Sequence, residues 1–154
     1  MKSNSNVNLE LSDMERSLLR KNKIKKSQIL ELGSDELSFL LNISEERAKE
    51  LQALADFQRI PSIGLEFAKD LVFLGYYRVD ELRSKNGAQL TNLYEQKKGY
   101  RTDPCVEDQF RLAVDFAENA DYSKKWWDFT EERKRYRSEI GYPSDRPKKN
   151  WTEV

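Results

Sequence analysis

Histidine is absent from this chain of 154 residues, and cysteine occurs once, at Cys105. Without histidine the chain lacks the side chain that most often serves as a general base and that most often binds zinc. A lone cysteine cannot form a disulfide within the chain, and few cysteines are typical of proteins in a reducing compartment. These absences argue against an enzyme and against a metal site, and we expect no catalytic residue and no cofactor.

Long apolar runs are also missing. No stretch approaches the roughly 20 apolar residues that a membrane-spanning helix needs. Residues 1–9 are polar and lack the apolar centre of a signal peptide. We therefore expect a soluble, cytoplasmic protein with no membrane partner.

The chain also lacks an excess of either charge. Its 27 basic residues balance 27 acidic ones, so the formal net charge is zero. No global field therefore draws the chain to a polyanion. The balance conceals a division, however. Residues 16–28 carry six basic side chains and no acid, residues 29–71 carry nine acids against four basic residues, and residues 124–149 carry nine basic residues against five acids.

The pattern of caps and breaks predicts many short helices. The sequence Ser12-Asp13-Met14-Glu15 has the spacing of a capping box, Gly75 is suited to a left-handed helix end, and Asp103 before Pro104 is a good helix start. We find no convincing alternating strand. The sequence therefore predicts an all-α protein, with a disordered arm over residues 1–11, one helical domain over 12–129 and a basic extension over 130–154.

Residues 40–51 and 60–71 align without a gap, which indicates an internal repeat. Ile43 aligns with Ile63, Ala48 with Ala68, and Leu51 with Leu71. A short period of this kind usually marks a supersecondary unit that is used twice. Each copy has the pattern of a tight turn that opens directly into a helix. The first copy has no glycine, and it serves either as a second site or only as a packing partner.

The turn over residues 60–64 could bind a phosphate. Pro61 restricts the backbone, Ile63 is an apolar pivot between two helices, and Gly64 has no Cβ to block a close neighbour. The first N–H groups of the following helix have no partner within that helix and lie at its positive end. Glu66 opposes an anion there. The predicted binding set lies at and around the turn and comprises Arg59, Ser62, Ile63, Gly64, Leu65 and Lys69.

The same turn resembles the helix-hairpin-helix motif, whose usual core is Ile-Pro-Gly-Ile-Gly and which binds DNA backbone without regard to sequence. Two tandem copies imply the compact double helix-hairpin-helix (SAM-like) arrangement. The chain departs from the motif in two places. Ser62 stands where the motif has its first glycine, and Glu66 stands near where a basic residue is customary.

A longer series of motifs is similar to the bacterial "pathogenicity locus" family of small helix-hairpin-helix proteins. The resemblance covers about residues 54–129, and Leu112 replaces a second cysteine that is usual in the family. It implies DNA binding but no assigned reaction. The segments that carry it are Ile60-Pro61-Ser62-Ile63-Gly64, Asp103-Pro104-Cys105-Val106, Phe110-Arg111-Leu112-Ala113-Val114 and Lys125-Trp126-Trp127-Asp128-Phe129.

Two functions stay open at this point. The first is a non-enzymatic, sequence-independent DNA-binding module, whose binding would be sensitive to salt. The second is a protein-interaction module that kept the scaffold and lost DNA binding. The hairpin glycine and the basic segments favour DNA, whereas Glu66 and the zero net charge favour a protein partner. Neither function calls for a small-molecule substrate.

Two further features have alternative interpretations. Cys105 lies in the first turn of a predicted helix, where it is either a reactive thiol with a lowered pKa or a buried structural residue. Trp126, Trp127 and Phe129 either stack on bases or close the core of a small domain. The turn-rich segment 141–147 is expected either to lie loosely over the surface or to stay mobile.

Overall fold

The computed structural model describes residues 7–154, and it confirms the all-α class. The described residues contain no β-strand, only an isolated bridge between Arg101 and Asn150. The α-helices are α1 (Asp13–Lys21), α2 (Ser34–Leu41), α3 (Glu45–Phe57), α4 (Leu65–Phe73), α5 (Gly87–Lys98), α6 (Pro104–Asn119) and α7 (Thr130–Glu139). Short 3-10 helices lie at Lys26–Glu31, Val79–Leu82, Trp126–Phe129 and Trp151–Glu153. Among these helices, none has both the length and the apolar character needed to cross a bilayer.

The chain divides into two compact units, Met1–Arg78 and Val79–Val154. The boundary falls inside the region 12–129 that the sequence predicts as one domain. The predicted basic extension over 130–154 belongs to the second unit. The candidate phosphate-binding turn lies wholly in the first unit.

In the first unit, α3 is the central helix and packs against α2, α4 and the 3-10 helix Lys26–Glu31. Its start is specified locally, because the Ser44 hydroxyl accepts a hydrogen bond from the amide of Arg47 at 3.0 Å. The predicted capping box of α1 is present at Ser12 and Glu15. The core of this unit consists of apolar side chains with almost no exposure, among them Leu37, Leu41, Leu51, Phe57, Ile60 and Leu71.

The prediction of a disordered N-terminal arm is wrong for residues 7–11. Val7 and Leu9 are buried, and Asn8 makes two hydrogen bonds to the side chain of Gln58, at 3.2 and 2.7 Å. The apolar residues at alternate positions, Val7, Leu9 and Leu11, are buried, whereas Asn8 and Glu10 are exposed. The Asn- and Ser-rich composition of the chain start conceals that pattern. Residues 1–6 of the predicted arm lie outside the described residues.

In the second unit, α6 is the central helix and packs against α5 and the 3-10 helices Val79–Leu82 and Trp126–Phe129. Its predicted start is confirmed, since the Asp103 carboxylate accepts a hydrogen bond from the amide of Cys105 at 2.9 Å. The first residue of α5, Gly87, lies so close to α6 that a Cβ there would be 2.8 Å from the Cα of Arg111. Glycine is therefore required for the close approach of these two helices.

The predicted loose C-terminal segment is instead anchored by buried ion pairs. Arginines of α7 and of the segment after it reach carboxylates that are almost fully buried on α5 and α6. Arg101 also donates its amide to the carbonyl of Lys149 at 2.7 Å. The pairs are Arg133–Asp108, Arg137–Glu107 and Arg146–Glu95, each with a closest nitrogen–oxygen distance of 2.8 Å.

Tyr142 reinforces this anchor. Its ring lies 4.2 Å from the guanidinium carbon of Arg137 and 3.5 Å from that of Arg146, distances that allow cation–π contact with both. Three arginines that appear in the sequence as a basic extension are therefore neutralised within the unit. The segment is ordered because its cations have specific buried partners, and composition alone does not reveal those partners.

Replacing Ala120 with glycine is expected to stabilise the second unit by about 0.5–1 kcal/mol. Ala120 ends α6 in the left-handed region, at φ 50°, and its exposed methyl group makes little packing. That conformation costs an L-residue about 1–2 kcal/mol, part of which is offset by the greater unfolded-state entropy of glycine. Chemical unfolding followed by tryptophan fluorescence measures this gain. A destabilised variant would contradict the interpretation.

Candidate functional site

The two copies of the repeat have matching backbone conformations at their turns. Asn42 and Ser62 occupy aligned positions, and both adopt the left-handed region, at φ 52° and 64°. Each is followed by an isoleucine and then by the residue that precedes a helix. The repeat seen in the sequence therefore corresponds to two similar turns, between α2 and α3 and between α3 and α4. The two turns share α3.

The turn between α3 and α4 is closed by its own backbone. The amide of Ile60 donates to the carbonyl of Phe57 at 3.1 Å, and the amide of Ile63 donates to the carbonyl of Ile60 at 3.2 Å. The side chain of Ile63 is buried, as expected of the apolar pivot. Its amide, predicted to contact phosphate, is already bonded, so that part of the prediction is wrong.

Gly64 precedes the first residue of α4, and no side chain caps that helix start. The residue is exposed, and its φ of −109° and ψ of −165° are an extended conformation that any residue can adopt. A Cβ built at this position would meet no atom within 4 Å. Within the described chain, neither conformation nor packing explains why glycine is present here.

The first turn differs from the second at the equivalent position. There Ser44 caps α3 with its own hydroxyl, which accepts the amide of Arg47. At Gly64 no hydroxyl or carboxylate is available to do the same. Among residues 7–154, no acceptor is found for the amides of Gly64 and Leu65 at the start of α4. The second turn is thus the one that can accept an anion from outside.

Carboxylates already neutralise both predicted cations of the site. Arg59 Nε lies 2.8 Å from Asp56 Oδ1, and Lys69 Nζ lies 3.2 Å from Glu10 Oε2. The hydrogen bond to Glu10, together with the charges of Glu10 and Glu66, raises the pKa of the Lys69 ammonium. An anion at α4 must compete with these carboxylates for the two side chains.

Glu10 is the member of this site that sequence reasoning missed. It adopts φ 54°, and its carbonyl accepts a hydrogen bond from Arg47 at 3.3 Å while its carboxylate pairs with Lys69. Arg47 in turn holds the buried carboxylate of Glu15 at 3.0 Å and thereby lowers the pKa of that group. No local signal predicts contacts that span 37 residues or more.

The remaining candidates do not form a second site. Burial and the neighbouring Asp103 raise the pKa of the Cys105 thiol, which contradicts a reactive thiolate and favours a structural role. No residue of the 3-10 helix Trp126–Phe129 is buried, and Trp127 is 54% exposed. The expectation that this aromatic cluster closes the core is therefore wrong. The cluster packs on the surface of α6, with its two indole rings edge to face at 5.4 Å.

Comparison with known proteins gives two matches. The sequence model of a family described as "Pathogenicity locus" matches residues 37–135. A protein named mitomycin resistance protein McrB, from Streptomyces lavendulae, is 31% identical over 81 residues, which cover 53% of this chain and 76% of the relative. No solved structure is significantly similar. The family match includes both turns, α3 and α4, and most of the second unit.

Proposed function

Since the chain belongs to the pathogenicity locus family, we propose that it is a non-enzymatic, sequence-independent DNA-binding protein. In this proposal the two turns flanking α3 are helix-hairpin-helix units. The second turn holds a backbone phosphate on the amides of Gly64 and Leu65. The first turn, capped by Ser44, supports the scaffold.

One observation carries the proposal: an exposed glycine stands at the start of α4 although neither its backbone conformation nor its neighbours require one. Absence of a side chain leaves the helix amides uncovered and lets another backbone approach closely. Free N–H groups and the helix dipole together favour an anion at this position. The DNA backbone presents a regular series of such anions, whatever the base sequence.

The charges around the turn predict weak binding by this site alone. The dipole contributes about 0.3–1 kcal/mol to a negative group near the helix start. Glu66 is exposed in the same turn, and Glu10 holds Lys69. Phosphate binding must therefore displace or tolerate two carboxylates, and most of the affinity has to come from elsewhere on the protein.

A fluorescence-anisotropy titration tests the proposal. The full chain is titrated into labelled duplex and single-stranded DNA at low salt, and the titration is repeated as the salt concentration rises. We expect binding that weakens steeply with salt, because each neutralised phosphate releases counterions. Absence of binding to both forms of DNA at low salt would overturn the proposal.

Replacing Glu66 with lysine is expected to tighten DNA binding several-fold. The change removes a carboxylate from the first turn of α4 and places a cation beside the proposed phosphate. The matched control is Glu36→Lys, which makes the same charge change at an exposed position in the first turn of α2. Equal effects of the two substitutions on the dissociation constant would show that only net charge matters, and no effect of either would place the hairpin outside the interface.

A protein-interaction module is the second candidate, and a specific observation favours it. Phe39 on α2 is 77% exposed and Met14 on α1 is 66% exposed, while the segment 29–71 carries a net charge of −5. Exposed apolar side chains that form a contiguous patch mark contact surfaces, and α1 packs against α2. If DNA does not bind, a Phe39→Ser variant in an affinity-capture comparison becomes the informative experiment, since it should lose a partner that the wild-type chain retains.

A further inference from the structure

Beyond the hairpin, we propose that duplex DNA docks on a basic surface at the end of α1, formed by Arg20, Lys21, Lys23, Lys25 and Lys26. We call these five residues the α1-end cluster. The inference rests on the proposed function and identifies which cations supply its electrostatic attraction. In this account the hairpin positions one phosphate, and the α1-end cluster neutralises several others.

The cluster is exposed and lies on a well-defined backbone. Helix α1 ends in a turn in which the amide of Lys23 donates to the carbonyl of Arg20 at 3.1 Å, and the amide of Ile24 donates to that of Leu19 at 2.9 Å. Lys23 itself has φ 55°. The side chain of Leu19 is buried, which anchors the turn to the core. The five cations are therefore presented by an ordered segment.

The cluster differs from most other basic side chains of the first unit because it lacks acidic partners. Arg47, Arg59 and Lys69 each form an ion pair with a carboxylate. Among residues 7–154, no carboxylate lies within ion-pair distance of any cluster member. The sequence from residue 16 to residue 28 contains no acid that could provide one locally.

Helix stability explains only part of this arrangement. Arg20 and Lys21 lie in the last turn of α1, where a cation is favoured by the negative end of the dipole. Lys23, Lys25 and Lys26 lie beyond that turn, where the dipole effect has fallen off. Five like charges within seven residues repel one another in the isolated protein. A polyanion removes that repulsion, so the cluster has the electrostatic form of a phosphate-binding surface.

The cluster and the hairpin flank the same segment of the first unit. Lys26 and Arg16 line a surface cavity together with residues 8–11. Glu10 belongs to that segment, and its carboxylate reaches Lys69 of α4 from there. A DNA backbone that follows the cluster toward α4 therefore passes Glu10, whose carboxylate is paired with Lys69.

The salt dependence of binding can be predicted quantitatively from the number of phosphates that the cluster neutralises. Each phosphate neutralised on a duplex contributes about −0.9 to the slope of log K against log salt, so five contacts give a slope of about −4.5. Between 50 and 200 mM salt that slope corresponds to a loss of affinity of about 500-fold. With two contacts left, the loss over the same range falls to about 12-fold.

The experiment compares the wild-type chain with two triple variants in anisotropy titrations of duplex DNA from 50 to 200 mM salt. One variant carries Lys21→Gln, Lys23→Gln and Lys25→Gln. The matched control carries Arg135→Gln, Lys148→Gln and Lys149→Gln, which changes the net charge equally at exposed positions of the second unit. We expect the slope to become less steep in the first variant, by about 2.7, and to stay unchanged in the control. Circular dichroism establishes that both variants remain folded.

The outcomes separate this inference from the hairpin proposal. Equal slopes for the two triple variants would overturn the cluster as a docking surface, even if a substitution at Gly64 abolishes binding and so upholds the hairpin. If the salt slope becomes less steep in the cluster variant alone, and a substitution at Gly64 does not change DNA affinity, the cluster is upheld and the hairpin is overturned. Binding of phosphatidylserine vesicles through the same lysines, with no binding of duplex DNA, would overturn both.

Discussion

Replacing Arg137 with alanine is expected to destabilise the second unit by about 3–5 kcal/mol, the largest effect that we predict. The guanidinium is buried and donates to Glu107 at 2.8 Å, to the carbonyl of Gly141 at 3.1 Å and to Asn92 at 3.0 Å. Its removal leaves the Glu107 carboxylate, which is almost fully buried, with Arg111 as its one remaining partner among residues 7–154. It also removes one of the two guanidinium groups that contact Tyr142.

Tryptophan fluorescence measures this effect selectively, since all three tryptophans lie in the second unit, at positions 126, 127 and 151. Urea unfolding of the variant should show a much lower midpoint than that of the wild-type chain. The matched control is Arg135→Ala, which removes an exposed arginine from the same helix and should change the free energy of unfolding by less than about 0.5 kcal/mol. Similar losses for the two variants would refute the assignment of Arg137 as the buried anchor.

Replacing Gly64 with aspartate is expected to weaken DNA binding by at least about tenfold while leaving the first unit slightly more stable. The carboxylate can cap α4 as Ser44 caps α3, and this gain over glycine amounts to a few tenths of a kcal/mol. The same carboxylate occupies the amides that a phosphate would use. Hydrogen bonds to a charged group contribute about 1.5–3 kcal/mol, which corresponds to roughly 10–150-fold in affinity.

The combination of results distinguishes a functional glycine from a structural one. Anisotropy titrations measure the affinity, and thermal unfolding followed by far-ultraviolet circular dichroism measures the stability. Ser144→Asp is the control, because it adds the same charge at an exposed position in the second unit. A Gly64→Asp variant that is less stable, or that binds DNA as tightly as the control does, would show that Gly64 does not expose a phosphate site.

Local features of the fold were predictable from the sequence because their physical causes are local. The capping box at Ser12, the cap at Ser44 and the helix start at Asp103 each depend on residues no more than three positions apart. The same holds for Gly75, which follows α4 with a φ of 97°, as predicted for a left-handed helix end. Its amide donates a hydrogen bond to the carbonyl of Val72 at 2.8 Å. Helix content and helix boundaries follow from such signals.

Long-range charge pairing was not predictable. Arg137 and Glu107 are 30 residues apart, and Arg146 and Glu95 are 51 apart. In the sequence these arginines are indistinguishable from the solvated cations of a basic tail. Only the packing of α7 and the following segment against α5 and α6 shows that these arginines are paired with buried carboxylates of the same unit. In the described part of the first unit, the five residues of the α1-end cluster are exposed, adjacent in sequence and without a carboxylate partner.

The candidate site was predictable in part for the same reason. The repeat located the turn and Gly64, because the apolar pattern and the glycine are local. Glu10 was missed, since its contact with Lys69 joins positions 59 residues apart. The hydrogen bond from the Ile63 amide to the Ile60 carbonyl was also not predicted. It depends on the backbone conformation of the turn, in which Ser62 has a positive φ.

The central claim is that the amides of Gly64 and Leu65 contact DNA phosphate, and a ¹H–¹⁵N NMR titration with duplex DNA tests it most directly. The chain has only six glycines, so the Gly64 signal can be assigned readily. We predict that the Gly64 and Leu65 amide signals shift saturably as duplex is added and return toward their free positions as salt is raised. DNA-dependent shifts elsewhere in the protein, with these two amides unchanged, would contradict the account.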